Sequence, residues 1–188
     1  MVKLILASAS PRRKELLELI GTEFVTDPAD VDESRLPGES PENYALRIAV
    51  DKARTAATRY STGVVIGADT IVVLDDLIMG KPASAEDAGG MLRHLSGRTH
   101  RVLTAVALVD AATGTESSFI ETTYVRFRRL TADEITDYVA TGEPMDKAGA
   151  YGIQGRASVF VEGIDGCFFN VVGLPLSRLD KALKEFIV

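Results

Sequence analysis

Disulfide chemistry is the first thing the composition excludes. There is one cysteine, Cys167, so no bridge can close within the chain, and a reducing cytoplasm is the natural compartment. Beside Phe168 and Phe169 it reads as a small buried hydrophobe rather than a nucleophile. No apolar run approaches the roughly 18 residues of a membrane span. Val2 to Ala7 is too short for the core of a signal peptide and runs straight into polar residues, so no membrane partner is expected. Basic charge is in deficit: 21 Lys and Arg against 27 Asp and Glu leave a net charge of −6. A chain that grips long nucleic acid usually carries a basic face, and this chain as a whole does not. Local positive clusters in an acidic chain point instead to a compact anionic ligand. The two histidines, His94 and His100, are separated by a Gly97 break at a spacing that suits no common metal pair. Repeats and low-complexity tracts are missing too.

What remains is ordinary globular material. The 188 residues are 46% hydrophobic and 26% charged, enough for one large domain or two closely joined lobes. Spacing and caps predict a helix over Pro11–Ile20 closed by Gly21, an extended piece over Glu23–Thr26, and a turn-rich acidic loop over Asp27–Gly38. Ser40-Pro41-Glu42 opens a helix to about Arg59, with Tyr44, Leu46, Ile48, Ala49, Ala53 and Ala56 on its apolar side. Val64–Leu74 is strand-like, Asp75-Asp76 a tight turn, and Leu77–Met79 the returning strand of a hairpin. Ser84 caps a helix over Ala85–Leu95 that ends at Gly97. Arg101–Asp110 and Glu116–Phe127 form an antiparallel pair, and Thr131 to Glu134 is a capping box for a helix to about Ala140. A glycine-rich connection leads to a strand near Ser158–Glu162. The last helix starts near Pro175, with apolar spacing at Leu176, Leu179, Leu183 and Ile187. Strands alternating with helices, interrupted by hairpins, predict an α/β fold with a mixed sheet.

The first strand-to-helix junction carries an electrostatic anomaly. Ser8, Ala9 and Ser10 lead into Pro11, and Arg12 and Arg13 then fill the first helical turn. Cations there oppose the helix dipole by about 0.3–1 kcal/mol each. Backbone N–H groups, serine hydroxyls and two guanidinium forks together make an anion site. The other reading is of two surface arginines reaching back to acidic partners.

Further positions stand out along the chain. Asp69 is a lone carboxylate in the apolar run Val64–Leu74, costly to bury unless it is paired, hydrogen-bonded or bound to metal. Gly67 and Ala68 before it clear space of the kind a ligand needs to approach backbone. Metal ligation or general-base work is one reading, and pairing with a buried lysine or capping a helix is the other. Thr70 falls on the opposite face of the strand. Lys81, between Gly80 and Pro82, is either a phosphate partner or a solvated loop lysine. Lys52 shares its helix with Asp51 and Arg54 and reads as part of a solvated face. Glu33 closes an acidic loop stretch, either simply wet or a second carboxylate for a metal. Gln154, flanked by Gly152 and Gly155, either reads a base edge with its amide or sits in an ordinary turn.

Taken in order, Ser8-Ala9-Ser10-Pro11-Arg12-Arg13, Gly67-Ala68-Asp69-Thr70, Gly80-Lys81-Pro82 and Tyr151-Gly152-Ile153-Gln154-Gly155 resemble the Maf family of nucleoside triphosphate pyrophosphatases. The resemblance covers essentially the whole chain and implies a single domain over residues 1–188. It implies a long mixed β-sheet flanked by helices, with two lobes around a deep cleft, similar to the inosine triphosphate pyrophosphatases. The activity it implies is cleavage between the α and β phosphates, with a divalent cation, Mg²⁺ or Mn²⁺. Asp69 matches the proton acceptor of the family. Ser8, Arg12, Arg13, Lys52 and Lys81 match its phosphate-binding positions, and Glu33 an acidic residue of the site. Arg12, Thr70 and Gln154 resemble the branch acting on dTTP and UTP, whereas the branch acting on 7-methyl-GTP has a tryptophan, a glutamine and a glutamate there. Members are commonly homodimers, on which these residues bear in neither direction.

The expected mechanism follows. Arg12, Arg13, Lys52, Lys81 and the N–H groups around Ser8 and Ser10 hold the triphosphate. Asp69 and Glu33 hold the metal, and Asp69 activates the water that attacks the α-phosphorus. Two alternatives stand beside it: a pyrophosphatase for 7-methyl-GTP or other modified nucleotides, and a non-catalytic nucleotide-binding regulator of cell division.

Overall fold

The computed structural model describes residues 2–186, so Ile187 lies outside the described residues. A seven-stranded mixed sheet runs in the order β2-β1-β3-β5-β6-β7, with β4 paired to β3. Its strands are β1 (Leu4–Leu6), β2 (Phe24–Thr26), β3 (Val64–Leu74), β4 (Leu77–Met79), β5 (Thr99–Asp110), β6 (Glu116–Phe127) and β7 (Val161–Asp165). The helices are α1 (Pro11–Leu19), α2 (Pro41–Ala57), α3 (Ala85–Leu95), α4 (Ala132–Ala140), α5 (Phe168–Val172) and α6 (Leu176–Phe186). Two compact units divide the chain. The expected α/β class with a mixed sheet is what is found.

The first unit comprises Met1–Asp69, Thr104–Glu121 and Gly173–Val188. Here β1 pairs parallel with β2 on one side and β3 on the other, in the registers Leu4↔Phe24 and Leu4↔Val64. Leu4, Ile5 and Leu6 are all buried, as a strand covered on both faces must be. Ser10 and Ser40 cap α1 and α2 through their hydroxyls, each with proline at the first helical turn. The buried side of α2 is Ala45, Ile48, Ala49, Ala53, Ala56 and Ala57, almost entirely methyl groups. That small-residue surface lets α2 lie very close to β3 at Gly67. A Cβ there would sit 2.8 Å from the Ala53 side chain and collide outright with the Ala49 carbonyl. The space cleared by Gly67 is therefore filled by α2, which corrects the expectation of a ligand at that backbone.

The second unit comprises Thr70–Leu103 and Thr122–Val172. It holds the β3–β4 hairpin, whose two-residue turn puts Asp75 at φ 55° with its carboxylate on Arg98 at 2.8 Å. The capping box of α4 is formed as expected, with Thr131 and Glu134 bonded reciprocally. Its core is aromatic: the Phe127 ring meets Tyr151 at 4.8 Å, His100 at 5.1 Å and Phe160 at 6.2 Å between centroids. The expected strand over Ser158–Glu162 is displaced. Arg156–Phe160 is a 3₁₀ helix that buries Ala157 and Phe160, one turn apart, and β7 begins only at Val161. Cys167 is half-buried rather than buried, its backbone bonded both ways to the Thr123 hydroxyl. The sequence pattern gave no element over Phe168–Val172, where α5 forms around the buried Asn170.

Gly67→Ala is expected to force α2 off β3 and to destabilise the protein by about 1–3 kcal/mol. Urea unfolding of the two proteins measures it, and equal midpoints would mean that the helix yields without strain.

Candidate active site

The first unit collects Ser8, Arg13, Glu33, Lys52 and Asp69. Just beyond β1, Ser8 is buried and its hydroxyl accepts from the Ser10 N–H at 3.3 Å and from Nη1 of Arg13 at 3.2 Å. Arg13 turns inward: Nε donates to the Gly173 carbonyl and Nη1 to the Ala68 carbonyl, both at 2.9 Å. Bonds from a charged donor are worth roughly 1.5–3 kcal/mol each. They outweigh the penalty of about 1 kcal/mol for a cation at a helix start, so the anomaly is settled locally for this arginine. Burial lowers the Arg13 pKa, the Asp69 carboxylate opposes that, and the charge of neighbouring Arg12 lowers it further. Arg12 and Ser10 are half-buried.

Lys52 does not belong to a solvated face. Its side chain is 12% exposed, and Nζ stands 3.0 Å from Oδ1 of Asp69 and 2.7 Å from Oε1 of Glu33. The contact at Gly67 explains this, because Lys52 precedes Ala53 on α2 just as Asp69 follows Gly67 on β3. Asp69 is thus both a nearly buried carboxylate and a lysine partner. Glu33 joins from the loop before α2 with its side chain 54% exposed.

That loop is fixed by Tyr44, which the spacing marks only as part of the apolar side of α2, and by Arg47, which it does not mark. The Tyr44 hydroxyl donates to the Glu33 carbonyl at 2.9 Å, and Arg47 donates to the Ser34 carbonyl at 2.9 Å. Arg47 also grips both carboxylate oxygens of Glu39, at 2.7 and 2.9 Å, and this bond holds the Glu39 pKa down at about 2. Burial raises the Tyr44 phenol pKa, with the Asp69 and Glu33 charges adding to it. Tyr44 and Arg47 are one helical turn apart and ahead of Lys52 on α2, a spacing that could have flagged them. The Ala68 and Gly173 carbonyls carry no such signal, since every residue has one.

The second unit holds Thr70, Lys81 and Gln154. Thr70 is half-buried, directly after Asp69 in the chain. Lys81 is exposed just past β4, where the Gly80 carbonyl accepts from the Gly149 N–H at 3.1 Å. Gly149 takes φ 67° and has no room for a Cβ against Val72, so the loop bearing Lys81 and the segment leading to Gln154 are fastened together. Gln154 is exposed in a turn closed by the Gly155 N–H on the Gly152 carbonyl at 3.0 Å. On either side Tyr151 and Ile153 are buried, and the Tyr151 hydroxyl meets Nε2 of His100 at 2.8 Å. Neither histidine belongs to a metal group, and among the described residues no three His, Cys, Asp or Glu side chains are placed to hold an ion.

His100 is buried, and desolvation depresses its pKa from 6.5 to about 4. The unfolded chain therefore binds that proton more readily, so stability falls as pH drops from 6.5 towards 4 and the effect saturates below. His100→Gln is expected to show a shallower loss of thermal stability over that window. Identical slopes in the two proteins would mean that another group titrates.

Comparison with known proteins adds the relatives. The family model described as Maf-like protein matches residues 3–186. A protein of Geobacillus sp. (strain WCH70) named dTTP/UTP pyrophosphatase is 53% identical over 185 residues, 98% of each chain. One of the same name from Syntrophomonas wolfei is 51% identical over 174 residues, covering 93% of this chain and 92% of the relative. Among solved structures, a HAM1 protein from Coxiella burnetii superposes with a TM-score of 0.58 at 18% identity, over 98% of this chain and 100% of that one. The Ham1 protein of Staphylococcus aureus gives 0.55 at 16% identity, over 97% and 98%. These two structures share the fold.

Proposed function

Since the chain belongs to the Maf-like family, we propose that it is a nucleoside triphosphate pyrophosphatase that hydrolyses dTTP and UTP to the monophosphate and pyrophosphate. The observation that carries the reading is the Asp69–Lys52–Glu33 group in a chain half identical to proteins of that name. The reading treats the chain as one Maf-like domain, supported by a family match that runs from residue 3 to 186. It also includes a cytoplasmic location, in keeping with one cysteine and a nucleotide substrate.

Arg12, Lys52 and Lys81 are assigned to the phosphates as charged donors, with the Ser8 hydroxyl and the N–H groups near Ser10. Arg13, tied to the Ala68 and Gly173 carbonyls, keeps Ser8 and the strand of Asp69 in fixed register while adding positive potential. Asp69 accepts the proton of the attacking water. Because Lys52 already sits on Oδ1, the carboxylate is held in one orientation before substrate arrives. Thr70 and Gln154 are assigned to the base, together with Arg12. A neutral amide that donates and accepts suits the alternating edge of uracil or thymine.

The donor set also fits a hard divalent cation. Mg²⁺ is usually held by one or two carboxylates together with substrate phosphates, and Asp69 and Glu33 supply two. The Lys52 ammonium between them already marks the place as cation-seeking. When bound, Mg²⁺ or Mn²⁺ would neutralise charge on the phosphate oxygens.

A panel of triphosphates with products identified tests the whole reading. The expected result is monophosphate and pyrophosphate from dTTP and UTP, and preference for 7-methyl-GTP or an intact bound nucleotide would overturn it. Asp69→Asn keeps the shape and removes the base, so kcat should fall by roughly 10²–10⁴-fold with the circular dichroism spectrum unchanged. Near-normal turnover by that variant removes Asp69 from the chemistry. Gln154→Glu should lower kcat/KM for dTTP relative to 7-methyl-GTP, and an unchanged substrate profile removes Gln154 from base selection.

A further inference from the structure

The turn bearing Gln154 is exposed, yet its shape is dictated from behind by one carboxylate. Glu143 lies in a short 3₁₀ helix, Glu143–Asp146, that follows α4. Its Oε2 accepts from the Arg156 N–H at 3.1 Å, at the far end of the turn. Its Oε1 accepts from the Tyr138 hydroxyl at 3.0 Å, and the Tyr138 oxygen in turn accepts from the Gly152 N–H at 3.2 Å, at the near end. Both ends of the stretch from Gly152 to Arg156 thus hang from a single side chain, with Gln154 at the midpoint.

The glycines confirm how tightly the carboxylate fits. A Cβ on Gly155 would collide with Oε1 of Glu143, and one on Gly152 would lie 2.6 Å from Cε of Lys147. Lys147 is itself fastened, its Nζ donating to the Glu143 carbonyl at 2.7 Å and to Oδ1 of Asp146 at 2.6 Å. Tyr138 is buried in α4 and its ring packs on Phe160 at 5.2 Å, so the clamp is anchored in the aromatic core. Burial and the Glu143 charge both raise the Tyr138 pKa, which keeps the hydroxyl a donor. The two glycines therefore leave room for the clamp, besides giving the turn its freedom.

We propose that Glu143 is a positioning residue for base selection: through Tyr138 and the Arg156 N–H it fixes the turn that presents Gln154. This rests on the reading of Gln154 as the base-reading residue. A displacement of about 1 Å in a recognition group can cost up to about a hundredfold in rate. An amide that must match both a donor and an acceptor on a base edge is sensitive to such a shift.

The test is a cycle of Glu143→Ala, Gln154→Ala and the double variant, with kcat and KM measured for dTTP and for dCTP. Glu143→Ala should lower the dTTP/dCTP discrimination by at least about fivefold, chiefly through KM for dTTP. It should do so only where Gln154 is present, so the double variant should match Gln154→Ala alone. Glu143→Gln, which keeps an oxygen acceptor at the same reach, should restore part of the discrimination. If Glu143→Ala does not fold, Gly155→Ala, which pushes a methyl group into the same contact, should reproduce the loss. Unchanged discrimination in Glu143→Ala or Gly155→Ala, while Gln154→Ala has lost it, overturns the positioning role and leaves Gln154 in place. Unchanged discrimination in Gln154→Ala overturns the reading of Gln154 and the inference built on it. An undiminished Glu143 effect in the double variant overturns the inference as well.

Discussion

A nearly buried ammonium between two carboxylates governs the architecture of the first unit. Lys52 sets its charged end beside β3 with little exposure to water, where a lone ion is costly. An ion pair of this kind adds little net stability, but removing one partner leaves a stranded charge at a cost of about 3–5 kcal/mol. The helix, the strand and the acidic loop are therefore obliged to meet at one point. The alanine side of α2 and the bare Gly67 let helix and strand approach closely enough. Tyr44 and Arg47, about two turns and one turn before Lys52 on the same helix, then hold the loop so that Glu33 completes the group.

The two carboxylates are not equivalent in that group. Asp69 is almost enclosed, so salt screens its attraction for Lys52 weakly. The Glu33 side chain is more than half exposed, and a pair of that kind is worth about 0–1 kcal/mol. Glu33 is consequently the arm that a competing ion or phosphate displaces at least cost, while Asp69 keeps its orientation. The difference in burial thus leaves one carboxylate of the group fixed and the other adjustable.

Much of the fold was legible because local signals and tertiary packing agree. The limits of β3, β4, β6 and α4 follow from the Asp75-Asp76 turn, the apolar runs and the Thr131–Glu134 capping box. The sequence failed where a side chain's partner is distant. Ser158 to Phe160 looks like a strand, yet Phe160 is claimed by the Phe127 and Tyr138 rings, which wind the segment into a 3₁₀ turn and delay β7. Nothing local marks α5, since Phe168 to Val172 carries strand-forming residues and is organised by Asn170 bonding to the Val102 carbonyl and the Thr123 hydroxyl. In the first unit, residue type alone singled out Asp69 and Arg13. It misjudged Lys52, because the burial of a helix face depends on how close the neighbouring strand can come.

The same limit applies to the glycines, and it separates two uses of one residue. Gly67 was read as room for a ligand, and it is room for α2. Gly152 and Gly155, which flank Gln154 in the sequence, are room for Lys147 and Glu143. In both places the missing Cβ admits a polar group close to the backbone, the Ala49 carbonyl of α2 at Gly67 and the Glu143 carboxylate at Gly155. The turn of Gln154 is accordingly held through the backbone N–H groups at its two ends, by the Tyr138 hydroxyl and the Glu143 carboxylate. A neutral amide carried in this way keeps its donor and acceptor available, whereas Asp69 gains its orientation from the ammonium that also shares its charge. The turn of Gln154 and the group around Asp69 thus rest on different physics: a clamped backbone in one unit, and a set of paired charges in the other.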